Sequence, residues 1–350
     1  MKRYVAIDSG KYATKVAEYL PTVGKVRSFC IPTKVGEGDF RDDAIEKATV
    51  IVGIDGKCYK VGNGARGTGA ELETTKMTDI HRTCTLTALA YLASENETDE
   101  FYVAVGLPAK DWAVVSKRED HKEYILPEGD MEIEIKPTSS SPVKKKKFSI
   151  SKRFVFPESI GALFMDETIE NTDASLITGV IDIGNLNLNA TLWRGAELLQ
   201  DSSATAELGG AILVQELSQE LTANITAVDE LITAQMLVSD EKQLPSGLGL
   251  SEEKVQASRD LVKKVLKAHA DKVKRTCRAR GWSLDVIRII AIGGTSALLE
   301  DELTEAFGES LVVLPDSQYC NVLGYLRLMC ARLPEINMVI PLENYEETEE

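Results

Sequence analysis

The sequence contains few histidines, no paired cysteine motif and no long apolar run. Its three histidines are too few for a histidine-based metal centre. Its six cysteines form no C-x-x-C pair, which fits reduced core thiols better than a zinc or disulfide framework. No stretch approaches the roughly 20 apolar residues that cross a bilayer, and the chain starts with a strand pattern rather than a signal sequence. These features predict a cytoplasmic protein.

The chain also lacks an excess of basic residues. Its formal net charge is −15, and polyanion affinity comes largely from Lys and Arg that displace counterions. Direct, nonspecific DNA binding by the whole surface is therefore not expected. At 350 residues with 43% hydrophobic content, the chain is long enough for at least two lobes with separate cores.

Two copies of one short pattern stand out. Residues 7–15 and 180–185 each contain an apolar strand that ends in Asp, followed by one residue and then Gly. A β-hairpin after such a strand could bind phosphate with its backbone N–H groups, while each Asp holds a hydrated divalent cation. A third turn, Gly293-Gly294-Thr295-Ser296, follows the apolar strand 287–292 and is suited to an anion at a helix N-terminus. Asp-x-Gly alone is common in ordinary turns, but two copies followed by this third turn, all three suited to phosphate, favour a nucleotide site.

With these three turns, the chain resembles the actin-like ATPase superfamily. Residues 8–15 and 182–187 look like its two phosphate loops, and 292–296 look like its adenosine motif. Residues 154–162 and 321–325 are similar to its two connecting helices. The segment Pro157 to Ile160, the strand end at 105–108 and the total length resemble the ParM-type branch, the filament-forming ATPases of plasmid segregation.

The resemblance implies a two-lobed α/β fold, built from duplicated ribonuclease H-like halves, with nucleotide in the cleft between the lobes. The implied first lobe is 1–157 plus 325–342, with a small subdomain insert at 32–76. The implied second lobe is 158–324, with a helical small subdomain at about 215–282. The glutamate-rich segment 343–350 is expected to be a solvated acidic tail.

The resemblance also implies roles for individual residues. Asp8 and Asp182 would hold Mg²⁺ through its waters, since this ion often takes only one or two carboxylates alongside phosphate oxygens. Lys15 would reach the β- and γ-phosphates, with Lys11 nearby or facing solvent. The other implied nucleotide contacts are small residues that permit close approach: Ser9, Gly10, Thr14, Gly184, Asn185, Gly209, Gly210, Gly293, Gly294 and Thr295.

Two of these assignments have structural alternatives. Glu158 would orient or deprotonate the attacking water, because positioning and charge neutralisation dominate phosphoryl transfer. It could instead only cap the helix that follows Pro157. Gly209 and Gly210 could form only the turn that starts a helix.

Three other patterns are interpreted structurally or left open. Residues 62–67 fit G-x-G-x-x-G, but no apolar helix follows, so a mobile glycine loop is expected rather than a dinucleotide site. His269 lies on the apolar stripe of a helix that Ser251 caps and Gly281 ends, and is expected to be a core residue. The basic run Lys144–Lys147 is either a solvated hairpin tip or a contact for an acidic partner, most simply a neighbouring acidic subunit.

The predicted function is that of a filament-forming ATPase. The chain would polymerise with Mg-ATP, hydrolyse it, and drive segregation of plasmid DNA through an adaptor. GTP remains open as the nucleotide, because the sequence does not place the walls of a base pocket. The alternatives are a non-polymerising actin-fold ATPase or kinase, and a scaffold that binds nucleotide without hydrolysis.

Overall fold

Two compact units make up the protein. The computed structural model describes residues 1–42, 46–67, 69–70, 73, 75–165, 175–285, 287–336, 340 and 345–347. One unit is Met1–Met165 with Asn321–Glu350, and the other is Asp166–Cys320. In the part of the chain just listed, no helix is long and apolar enough to cross a membrane.

The first unit is built on a sheet of ten strands. Their order is β15-β3-β2-β1-β7-β9-β8-β5-β6-β4. The strands are β1 Lys2–Ser9, β2 Ala13–Leu20, β3 Lys25–Pro32, β4 Val35–Glu37, β5 Thr49–Ile54, β6 Lys57–Gly62, β7 Asp99–Leu107, β8 Gly129–Lys136, β9 Lys144–Pro157 and β15 Tyr345–Glu347. The helices are α1 Asp79–Leu92, α2 Ala109–Trp112, α3 Val115–Ile125, α4 Ile160–Leu163 and α10 Cys320–Arg332.

The core of this unit lies between the central strands and α1. From Tyr4 to Ser9 every residue of β1 is buried, as expected for a strand covered on both faces. Helix α1 is buried on nearly all sides, and its N-cap Thr78 accepts a hydrogen bond from the N–H of His81. The apolar residues of 78–93 fall at helical spacings and those of 101–106 form an apolar run, and the structure has α1 and β7 at these places.

The insert and the tail differ from expectation. The strands at 35–37, 49–54 and 57–62 continue the main sheet, because β5 pairs with β8. Within the glycine-rich segment, Gly67 packs so closely on β4 that a Cβ would lie 1.9 Å from the Val35 carbonyl oxygen. Residues 345–347 of the predicted acidic tail form β15, a strand at the edge of the sheet that pairs with β3 in parallel. The rest of that segment, 343–344 and 348–350, lies outside the described residues.

The second unit is a five-stranded sheet with helices. Its strand order is β12-β11-β10-β13-β14. The elements are β10 Ile177–Ile183, β11 Leu188–Arg194, β12 Glu197–Ala206, α5 Gly210–Asn224, α6 Glu230–Leu237, α7 Glu252–Ala279, β13 Arg288–Ile292, α8 Gly294–Leu298, α9 Glu300–Phe307 and β14 Leu311–Val313. Ser251 caps α7, and His269 is buried with its Nε2 3.1 Å from the Leu208 carbonyl oxygen. The cap and the core histidine are confirmed.

The two units repeat one topology. In the first, β3-β2-β1 are antiparallel neighbours, and β7 and β9 then add in parallel. In the second, β12-β11-β10 are antiparallel neighbours, and β13 and β14 then add in parallel. The predicted α/β class is confirmed, and the duplication places the two Asp-x-Gly turns at equivalent positions of the two sheets.

Candidate functional site

The two predicted phosphate turns are hairpins with the same register. We call residues 8–15 the first hairpin and residues 182–189 the second hairpin. Asp8 lies opposite Lys15, and Asp182 lies opposite Asn189. In the first hairpin the N–H of Gly10 donates to the carbonyl of Ala13 over 3.1 Å. In the second the N–H of Gly184 donates to the carbonyl of Asn187 over 3.0 Å, so the two turns are closed in the same way.

This closure changes which backbone groups are available. The N–H groups of Gly10 and Gly184 are used inside their own hairpins, so these glycines shape the turns rather than serve as donors. The next two residues in each turn, Lys11 and Tyr12 or Asn185 and Leu186, donate their N–H groups to no acceptor among the described residues. Paired N–H groups at a turn are suited to an anion.

Buried hydroxyl groups fix the first hairpin. Ser9 and Thr14 share a hydrogen bond of 3.0 Å, and Thr14 shares another of 3.0 Å with Thr33. The side chain of Thr14 is fully buried. The structure therefore places Thr14 behind the hairpin, where it supports the turn. Lys15 lies opposite Asp8 in the antiparallel pair of β1 and β2.

Lys76 joins the two carboxylates that the sequence assigned to metal and water. Its Nζ lies 2.9 Å from Oδ1 of Asp8 and 2.7 Å from Oε1 of Glu158, and all three side chains are buried. We call Asp8, Lys76 and Glu158 the charged triad. The sequence analysis did not identify Lys76, which lies 68 residues from Asp8 along the chain. The one available signal was Asp8 itself, since a carboxylate at the end of a buried strand requires a counter-charge.

The triad sets the charge state of its members. Burial alone would raise the pKa of Asp8, but the Lys76 ammonium, with Lys15 in second place, outweighs it and holds the pKa below its usual value. Burial alone would lower the pKa of Lys76, but Asp8 and Glu158 outweigh it and the pKa lies above its usual value. Asp8 and Lys76 therefore form an ion pair of opposite charges 2.9 Å apart.

Glu158 occupies a sharp corner of the backbone. Its N–H donates to the carbonyl of Leu107 over 2.8 Å, at the point where β7 and β9 both end. Ser159, the next residue, has φ of 71°, a left-handed conformation that is uncommon outside glycine. The N–H of Ser159 donates to Oδ1 of Asn321 on α10 over 3.1 Å. The turn into α4 is therefore held from two elements, and it fixes the direction of Glu158.

A small cavity lies beside Lys76 of the triad. Its volume of about 10 Å³ is at the lower limit for holding one water molecule, and Ser9, His81, Thr85 and His121 are among its lining residues. Burial and the nearby Lys76 lower the pKa of His81 to about 3 and that of His121 to about 4. Both imidazoles are therefore neutral near pH 7.

In the second unit, the predicted glycines form a close-packed support for the second hairpin. A Cβ on Gly209 would lie 2.4 Å from the Asn185 carbonyl oxygen, and one on Gly293, where φ is 94°, would lie 2.7 Å from Oδ1 of Asp182. The N–H of Gly210 and the hydroxyl of Thr295 both donate to the carbonyl of Gly184. Gly210 also begins α5, so the pair 209–210 forms a helix-start turn, and its contact with a nucleotide stays a prediction. Gly294 begins α8.

The donor set fits a hydrated cation rather than a metal centre made of protein ligands. Among the described residues, no group of three or more His, Cys, Asp or Glu side chains could hold a metal ion. Each hairpin instead offers a single carboxylate, Asp8 or Asp182. Mg²⁺ is often bound in this way, with waters and phosphate oxygens completing its shell.

Comparisons with known proteins agree with this geometry. Residues 6–161 match the family model described as the N-terminal domain of actin-like proteins. No curated protein matches the sequence.

Solved structures of similar fold cover almost the whole chain. The Alp12 filament structure has a TM-score of 0.70 at 20% identity, and the alignment covers 95% of this chain and 99% of that one. A 15-stranded ParM filament from Clostridium botulinum has a TM-score of 0.68 at 18% identity, with 94% and 99% covered. The archaeal actin homologue Ta0583 in complex with ADP has a TM-score of 0.67 at 17% identity, with 92% and 97% covered. The protein has the actin-like fold, and the predicted resemblance to actin-like ATPases, with ParM-type proteins among the similar structures, is confirmed.

Proposed function

We propose that this chain is a nucleotide-dependent filament protein that binds and hydrolyses a Mg-nucleoside triphosphate. The observation that carries the proposal is the duplicated hairpin: both units present an Asp at the end of a buried strand, beside a turn with two adjacent backbone N–H groups without acceptors in the described chain. Each hairpin thus offers a turn suited to phosphate and a carboxylate suited to a hydrated cation.

The residues then take distinct parts in the reaction. Asp8 and Asp182 would each hold magnesium through water, and a bound ion would supply charge neutralisation at the phosphates. The N–H groups of residues 11, 12, 185 and 186 bind phosphate oxygens, and Lys15 adds a positive charge. Glu158 orients the attacking water and accepts its proton, which suits a carboxylate fixed by the backbone corner that follows it.

The assembly steps rest on the fold and on the similar structures. Filaments of the Alp12 and Clostridium botulinum ParM proteins support head-to-tail assembly of this chain, since a heterologous contact that does not close gives a fibre. We propose that the triphosphate form assembles, that hydrolysis weakens the contacts, and that an adaptor bound to plasmid DNA links the polymer to its cargo in the cytoplasm. ATP is the proposed nucleotide, with GTP the alternative.

Isosteric substitution of the hairpin carboxylates tests this proposal. We expect Asp8→Asn and Asp182→Asn each to lower phosphate release by about 10- to 100-fold, the usual effect of losing a group that orients a metal's shell. Both should also abolish the rise in light scattering and the filaments in electron micrographs after addition of Mg-ATP. Asp130→Asn and Asp201→Asn, exposed carboxylates outside the hairpins, are the matched controls. Equal effects of one hairpin variant and its control would remove that hairpin from the site.

A further inference from the structure

The charged triad has a feature that the proposed roles leave unused. An ammonium has three N–H donors, and Lys76 directs two of them to Asp8 and Glu158. No other hydrogen bond or ion pair of its Nζ occurs within the described residues. Lys76 is buried together with its partners, and its charge is maintained by both carboxylates. One donor of a fixed buried cation is therefore available.

The location of that donor follows from its partners. Under the proposed function, Glu158 holds the attacking water and so lies next to the terminal phosphate. Asp8 holds a water of the metal that neutralises the same phosphate. Because Nζ of Lys76 is 2.7 Å from Glu158 and 2.9 Å from Asp8, the ammonium lies at the terminal phosphate rather than at the base or sugar.

We propose that Lys76 binds the terminal phosphate of a bound nucleoside triphosphate and makes the site distinguish a triphosphate from a diphosphate. This inference rests on the proposed nucleotide function. The third donor of Lys76 bonds to a γ-phosphate oxygen, while the other two keep Asp8 and Glu158 in place. After hydrolysis the donor has no phosphate partner, so the diphosphate lacks one charge-assisted hydrogen bond that the triphosphate has.

Equilibrium binding of two probes tests the inference without chemistry. Dissociation constants are measured for AMPPNP and for ADP, each with Mg²⁺, and for the matching guanine nucleotides in parallel. Lys76→Met should weaken AMPPNP binding by about 10-fold or more, the range for a hydrogen bond to a charged group, and ADP binding by less than about threefold. Lys76→Arg should keep most of the preference, because it keeps the charge.

The controls separate this role from a structural one. Lys146 is also a buried lysine of the first unit, but its Nζ donates to the carbonyl of Ala93, away from the triad. Lys146→Met should leave the ratio of the two dissociation constants unchanged. Because Lys76→Met leaves two buried carboxylates unbalanced, the ratio is also compared between Lys76→Met/Glu158→Gln and Glu158→Gln alone. The double variant removes the ammonium together with one of its two acidic partners.

Each outcome has a defined meaning. The inference is supported if Lys76→Met lowers the preference for triphosphate both in the parent protein and in the Glu158→Gln variant, while Lys146→Met leaves that preference unchanged. Equal weakening of AMPPNP and ADP, or no change, overturns it and leaves the proposed function intact. If the parent protein binds none of the four nucleotides, the proposed function fails and the inference fails with it.

Discussion

Individual residues show how a buried charge is made tolerable. Asp8 and Glu158 are both nearly inaccessible to water, and either alone would be costly to bury in the ionised form. Lys76 offsets both at once, and the neighbouring histidines remain neutral. The group of polar residues around the triad therefore depends on one ammonium supplied by the segment just before α1.

The two neutral histidines predict acid sensitivity. The pKa of His81 is lowered to about 3 and that of His121 to about 4, both below the ordinary 6.5 that each regains on unfolding. As the pH falls below 6.5, the unfolded chain binds protons that the folded protein does not, so the free energy of unfolding decreases. Between pH 7.5 and 5.5 each histidine should remove about 1.4 kcal/mol.

Urea unfolding at the two pH values measures this loss. The double variant His81→Gln/His121→Gln should lose about 2 to 3 kcal/mol less than the parent over the same interval. Other titrating groups contribute equally to both proteins and cancel in the comparison. An identical loss in parent and variant would show that the histidines titrate normally in the folded state.

At the scale of elements, turns and helix starts position the candidate site. The corner at Glu158 leads into α4, and α4 crosses α10 at close range within the first unit. A Cβ on Gly324 of α10 would lie 2.2 Å from the carbonyl oxygen of Gly161 and 2.3 Å from its Cα. The crossing therefore requires glycine, and the same helix α10 supplies Asn321, which binds the N–H of Ser159.

Gly324→Ala tests how much this crossing matters. The added methyl group meets backbone atoms that cannot rotate away, so the helices must separate, at a cost of about 1 to 3 kcal/mol. We expect a lower midpoint in urea and, because Glu158 precedes α4, slower phosphate release. Gly247→Ala is the control, since a Cβ there has no atom within 4 Å. Unchanged stability of Gly324→Ala would mean that α4 and α10 can move apart freely.

At the scale of the whole molecule, the distribution of charge determines which partners the surface can attract. The net charge is −15, and the only strong basic run, Lys144–Lys147, is neutralised locally. Lys144 pairs with Glu95, while Lys145 and Lys147 both pair with Glu132. Lys146 faces inward from β9 and is buried. Lys144, Lys145 and Lys147 therefore belong to a paired, solvent-exposed β8–β9 surface at the start of β9 rather than to the tip of the hairpin.

This charge distribution predicts no direct binding to duplex DNA. In fluorescence anisotropy with a labelled duplex at 150 mM salt, we expect no binding at micromolar protein, where a basic protein with several phosphate contacts would bind. Replacing Lys145 and Lys147 with Gln should not change the result. Binding by the parent that is lost in this variant would make the β8–β9 surface a DNA contact and remove the need for an adaptor.

Local patterns in the sequence predicted much of the fold. Apolar strands, Asp-x-Gly turns and helix caps act over a few residues, so the Ser251 cap and the two Asp-x-Gly turns could be predicted directly. The duplicated topology was implied by the resemblance to the actin-like superfamily, which the motifs around Asp8 and Asp182 carried. The match to the actin-like fold followed from the order of these local signals.

Only the tertiary structure decided which distant groups meet. It brought Lys76 to Asp8 and Glu158, paired β15 with β3, and buried Lys146 within a basic run. None of these contacts has a periodic or neighbouring sequence signal, because each joins residues far apart in the chain or depends on which face of a strand is covered. Sequence determined the local elements and the two carboxylates, whereas long-range packing determined the cation that holds two of the candidate site's charges together.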